Sequence, residues 1–89
     1  MEKNDEIRMP ASDDTALEGA VLSQLLALHP IQLTLTELFR EVAGDEAGFE
    51  QRDALERAVR QLTAAGLAHR NGDLVLPSRA ALRMDELLG

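Results

Sequence analysis

Apolar residues recur at helical spacing early in the chain: Leu17, Val21, Leu25 and Leu28, with Ala20, Leu22 and Leu26 beside them. This pattern predicts a helix over Thr15 to Leu28. Thr15 followed three residues later by Glu18 has the form of a capping box, and Pro30 stops the helix because the residue before a proline avoids the α region. Ile31, Leu33 and Leu35 then alternate with Gln32 and Thr34, the period of a short strand. Thr36 is placed to cap a second helix over Glu37 to Ala43, with Leu38, Phe39 and Val42 on its apolar face and Gly44 as the terminating glycine. A third helix, Glu50 to Ala65, carries the clearest stripe of all: Ala54, Leu55, Ala58, Val59, Leu62 and Ala65. Gly66 ends it. Asn71-Gly72 next sits between two short segments, Leu67 to His69 and Leu74 to Leu76, and predicts a hairpin with a type I′ turn. Ser78 caps a last short helix in which Ala81, Leu82 and Leu87 are the apolar positions.

Residues 1–14 show no such pattern. They are charged and poor in apolar groups, and read as a disordered acidic tail ahead of one domain over 15–89. Phe39 and Phe49 are the only aromatic residues, so the core is built from leucine, valine, isoleucine and alanine. There is no cysteine, which excludes disulfides and thiolate metal sites and fits a cytoplasmic setting. The two histidines, His29 and His69, stand in no metal-ligand motif; His29 suits a helix end and His69 a strand with one wet edge. No cofactor is implied. No nucleotide-binding P-loop, no GxSxG and no HExxH is present, and the adjacent acids Asp13/Asp14 and Asp85/Glu86 offer no cleft, so the chain reads as a non-enzyme. No apolar run reaches the roughly 20 residues that span a bilayer, and the polar N-terminus is not a signal peptide.

Net charge is −7, and it is unevenly spread. Residues 1–48 carry ten acids and three bases, whereas residues 49–89 carry six of each. The arginines Arg52, Arg57, Arg60, Arg70 and Arg79 cluster after Gln51. Two readings of the third helix follow. Its arginines contact phosphates or bases, or they sit on a solvated face in i, i+4 pairs, Asp53 with Arg57 and Glu56 with Arg60.

The element order carried by "LTLTELFREVAG" and "ALERAVRQLTAAGLAHRNGDLVL" resembles the winged helix-turn-helix superfamily over about Thr15 to Leu87. The resemblance implies a mainly α fold with a small β-hairpin: helix, short strand, helix, helix, two-stranded wing, short C-terminal helix. The wing would form a small sheet with the strand near Leu33. It further implies a bacterial-type transcriptional regulator that binds double-stranded DNA, with 50–65 as recognition helix and 67–76 as wing. Matched residue by residue, the contacts fall to Gln51, Arg52, Arg57, Arg60, Arg70 and Asn71. A homodimer on paired half-sites is the usual remedy for weak binding by one copy. The segment "GDEAG" departs from the pattern: it is longer and more acidic than a compact helix-turn-helix turn, and Asp45 and Glu46 beside the recognition helix would repel phosphates. The alternative implied by the acidic first half is a winged-helix module that binds a protein and not DNA, with "LRMDELLG" as a docking element through Met84 and Leu88.

Overall fold

The computed structural model describes residues 2–44 and 48–89, with side chains from Asp14 onward. In chain order the elements are α1 (Glu2–Leu28), β1 (Leu33–Thr34), α2 (Leu35–Ala43), α3 (Phe49–Ala64), β2 (Ala68–Asn71), β3 (Leu74–Pro77) and α4 (Arg79–Leu88). The chain is mainly helical, with a small three-stranded antiparallel sheet in the order β1-β3-β2. The strand near Leu33 does join the hairpin, pairing Leu33 with Val75 and Thr34 with Leu74.

The apolar stripe of α3 is the centre of the core. Leu55, Ala58, Val59 and Leu62 are all buried, and they meet Val21 and Leu25 of α1, Leu38 and Phe39 of α2, Leu33, Ala68 and Val75. Leu17, Leu22, Leu28, Leu35, Val42 and Leu67 close the margins. α4 supplies no member of this cluster. Its Ala81 is buried, while Met84, Leu87 and Leu88 are 48%, 66% and 81% exposed, so the expectation that Leu87 belongs to the packed face is corrected. All of α4 beyond Leu82 stands in solvent.

Local chemistry sets the ends of the elements, and three boundaries differ from expectation. First, α1 begins at Glu2, ahead of the Thr15 start that the spacing predicts. Second, the cap of α2 is Thr34, not Thr36. Glu37 N–H donates to Thr34 Oγ1 at 3.1 Å and Thr34 N–H donates to Glu37 Oε1 at 2.9 Å, a complete capping box. The strand is thereby cut to two residues, and Leu35 becomes helical because the cap lies before it. Third, the hairpin turn is Gly72-Asp73, not Asn71-Gly72. Asn71 pairs with Leu74 inside the ladder. Of the two turn residues only Gly72 has positive φ, +61°, which is the pattern of a type II′ turn with glycine first. Leu35 N–H donates to Asp73 C=O at 2.9 Å and ties this turn to the start of α2.

The register sets the strand faces. Val75 and Pro77 of β3 and Ala68 of β2 are buried, while Leu74 and Leu76 are half-buried and His69 is exposed. Directly paired residues share a face, so Ala68, Arg70, Val75 and Pro77 look toward the helices.

Gly66 follows the C-cap residue Ala65 at φ +83°. Leu67 N–H donates to Leu62 C=O at 2.9 Å and Gly66 N–H to Thr63 C=O at 3.1 Å. This pair of bonds is a Schellman motif, and the half-buried Leu67 completes its apolar contact.

Two glycines give opposite expectations. Nothing lies within 4 Å of a Cβ built at Gly19 or at Gly66, so only the backbone decides. Gly19→Ala, inside α1, is expected to stabilise by about 0.5–1 kcal/mol, while Gly66→Ala, forced left-handed, is expected to cost about 1–2 kcal/mol. Urea unfolding followed by circular dichroism separates the two signs. Thr34→Ala is expected to cost about 1 kcal/mol, a fall in Tm of roughly 4–8 °C for a domain of this size, whereas Thr36→Ala should leave Tm nearly unchanged; equal losses would return the cap to Thr36.

Candidate nucleic-acid interface

Contacts, more than helical spacing, separate the arginines of α3, since Arg57 is only three residues from Arg60. Arg52, Glu56 and Arg60 follow one another at i, i+4 and i+8, a single stripe along one flank. Arg57 lies off that stripe and faces α1. Its guanidinium stands 3.8 Å from Asp14 Oδ1, and the two residues line a narrow cleft between the helices with Glu18, Ala54 and Gln61. The i, i+4 pairs expected of this helix, Asp53 with Arg57 and Glu56 with Arg60, do not form among the described residues. Arg57 is drawn to Asp14 instead, because α1 packs along that side of α3.

Arg52 is held in place by an aromatic ring. Its guanidinium carbon lies 4.8 Å from the centroid of Phe39. Such a stacked cation is worth roughly 0.5–1 kcal/mol when exposed. Phe39 is buried in α2, and among the described residues the fork of Arg52 has no carboxylate partner. Leu35, Thr36, Leu55 and Glu56 complete the small hollow around it.

Arg60 and Arg70 come from different elements and meet across a groove. The groove, about 450 Å³ and open to solvent, lies between the C-terminal half of α3 and β2, with Val59, Thr63 and Ala64 as its apolar lining. Thr63 adds no free donor, since its hydroxyl donates to Val59 C=O at 2.7 Å. Arg70 donates to Gly72 C=O at 3.1 Å, which braces the guanidinium against its own turn.

Of the six residues singled out from sequence, Arg60 and Arg70 therefore line one groove, and Arg52 stands in a separate hollow against Phe39. Arg57 is turned toward α1. Gln51 is occupied in the entry to α3, where its Oε1 accepts from Gly48 N–H at 2.8 Å. Asn71 lies on the opposite face of the hairpin from Arg70, paired with Leu74. Asp45 and Glu46 lie outside the described residues. Phe49, at the first turn of α3, is 85% exposed. The Phe39–Arg52 stack and the groove between α3 and β2 were not read from the sequence, because both join residues distant along the chain.

Among the described residues no group of three His, Cys, Asp or Glu side chains converges in the manner of a metal site, and no helix is long and apolar enough to cross a membrane. The chain matches no family model, no curated protein and no solved structure.

The Arg57–Asp14 contact is exposed on both sides and long for an ion pair, so it contributes little. Asp14→Asn is expected to shift Tm by no more than about 2–4 °C, equivalent to under 0.5 kcal/mol in a domain of this size, measured by a thermal melt in low salt. A shift twice as large would make the contact a structural tie between α1 and α3.

Proposed function

We propose that this chain is a winged-helix module that binds double-stranded DNA, of the kind found in bacterial-type transcriptional regulators, with α3 as the reading helix and β2–β3 as the wing. The observation that carries the reading is the groove that Arg60 of α3 and Arg70 of β2 line together, with Arg52 stacked on Phe39 eight residues earlier on α3. Arginine forks suit phosphate and base edges because they present paired donors in fixed geometry. The order of elements, with the short strand β1 closing the sheet beside β3, supports the same reading.

In this reading DNA lies along the Arg52–Arg60 flank. Arg60 and Arg70 bracket one backbone strand, and Arg52, nearer the N-terminus of α3, reaches a base edge or the facing phosphate. Arg57, facing α1, takes no part, and neither does Gln51. The acidic surplus of the first half stands against tight binding, so affinity is modest for one copy and rises for a homodimer on paired half-sites. A second reading is a winged-helix module that docks a protein and leaves DNA alone. The specific observation in its favour is α4, where Met84, Leu87 and Leu88 are exposed.

Fluorescence anisotropy on a labelled mixed-sequence duplex from 50 to 200 mM salt tests the first reading. Binding should weaken linearly in log salt by about 0.9 per neutralised phosphate. Arg60→Gln and Arg70→Gln should each lower the slope by about 0.9, while Arg57→Gln leaves it unchanged. No binding at 50 mM salt and tens of micromolar protein, against roughly 10⁻⁴–10⁻⁶ M for ordinary non-specific affinity, excludes DNA and leaves the second reading.

A further inference from the structure

The groove between α3 and β2 adjoins a free strand edge. β2 is the outer strand of the sheet and pairs with β3 alone. The two-residue turn Gly72-Asp73 makes Asn71–Leu74 the hydrogen-bonded pair that closes the hairpin. Bonded and non-bonded pairs alternate along an antiparallel ladder. His69–Leu76 is therefore bonded, and Ala68–Pro77 and Arg70–Val75 are not. Pro77, which has no N–H to give, falls on a non-bonded position as this register requires. It follows that the peptide N–H and C=O of Arg70 point away from β3, at the same residue whose side chain lines the groove.

Three properties thus coincide at β2. The backbone offers unpaired donors and acceptors in strand geometry. The adjacent groove has an apolar lining from Val59, Thr63 and Ala64. Arg60 and Arg70 line it, the guanidinium of Arg70 braced on Gly72 C=O, and among the described residues neither has a carboxylate partner. A strand laid along β2 places alternate side chains into such a groove. The two cations select what it carries.

We propose that β2 is a strand-addition site for an extended acidic peptide, whose backbone pairs with Arg70 and whose carboxylates meet Arg60 and Arg70 while its apolar side chains fill the groove. This goes beyond the DNA reading and does not need it. The two occupants use the same guanidiniums and exclude one another.

The test uses the full chain without DNA and three labelled octapeptides: one alternating valine and glutamate, the same with lysine for glutamate, and the glutamate peptide with alternate backbone amides N-methylated. Anisotropy titration should show saturable binding of the first. The lysine peptide should bind about tenfold more weakly, as expected for two lost exposed ion pairs together with repulsion, and the N-methylated one not measurably. Hydrogen exchange by NMR should show the Arg70 amide protected by the first peptide. Arg60→Gln/Arg70→Gln, with its fold checked by circular dichroism, should lose severalfold in affinity and keep the same Arg70 amide protection at saturation. Equal binding of the N-methylated peptide overturns the proposal, since it would be adsorption of a polyanion. So does an absence of saturable binding up to 1 mM peptide, and so do shifts centred on Met84 and Leu87 in place of Arg70.

Discussion

The burial of one side of α3 is the constraint on which the rest of the structure depends. Leu55, Ala58, Val59 and Leu62 are the surface against which α1, α2 and the sheet all pack. With two phenylalanines in the chain and one of them exposed, aliphatic burial supplies nearly all of the driving force. A domain of this size buries only about 60% of its unfolded surface, so the close fit of that stripe leaves little to spare. The orientation of α3 then fixes which of its polar residues are free. The flank toward α1 takes Arg57, and the flank toward α2 and the hairpin keeps Arg52 and Arg60.

Caps and turns translate this packing into a site. The capping box of Thr34 and Glu37 starts α2 directly after two residues of strand, which positions Phe39 beneath Arg52. The Schellman bonds of Gly66 and Leu67 turn the chain back sharply, so that β2 runs beside the last turns of α3 and Arg70 arrives opposite Arg60. Each device is worth only about 0.5–2 kcal/mol, yet each decides a direction.

Electrostatics then acts on a molecule of two characters. The first half holds the whole of the net negative charge. Arg52 and Arg60 of α3 and Arg70 of β2 are exposed, Arg52 resting on an aromatic ring and Arg70 on a backbone carbonyl. On an acidic protein, the Arg60–Arg70 groove favours partners that meet it in one orientation, and the acidic first half repels polyanions elsewhere. α4 adds an unrelated feature, a helix of ten residues with most of its apolar side chains in water. Isolated helices this short are marginal, and its Ser78 cap, with Ala81 N–H donating to Ser78 Oγ at 3.0 Å, is its main local support.

The helical stripes, the two glycine stops and the presence of a hairpin were legible because they depend on residues within one or two turns of each other. Periodicity located α3 to within one residue, and Gly66 marked its end. The Thr34–Glu37 box was legible too, as a threonine followed three residues later by a glutamate, but Thr36 stood closer to the apolar run and drew the reading. What no local rule contains is register. The ladder observed buries Val75 and leaves Leu74 and Leu76 half-buried, and a shift of one residue would exchange those faces. Likewise, spacing offered Asp53 and Glu56 as partners for the arginines, and only the packing of α1 on α3 brought Asp14 to Arg57. The amino-acid sequence by itself determined the elements and their caps, since hydrogen bonds and apolar periodicity act over a few residues. The tertiary structure alone decided which arginines stand together, because that depends on the side from which each neighbouring element covers α3.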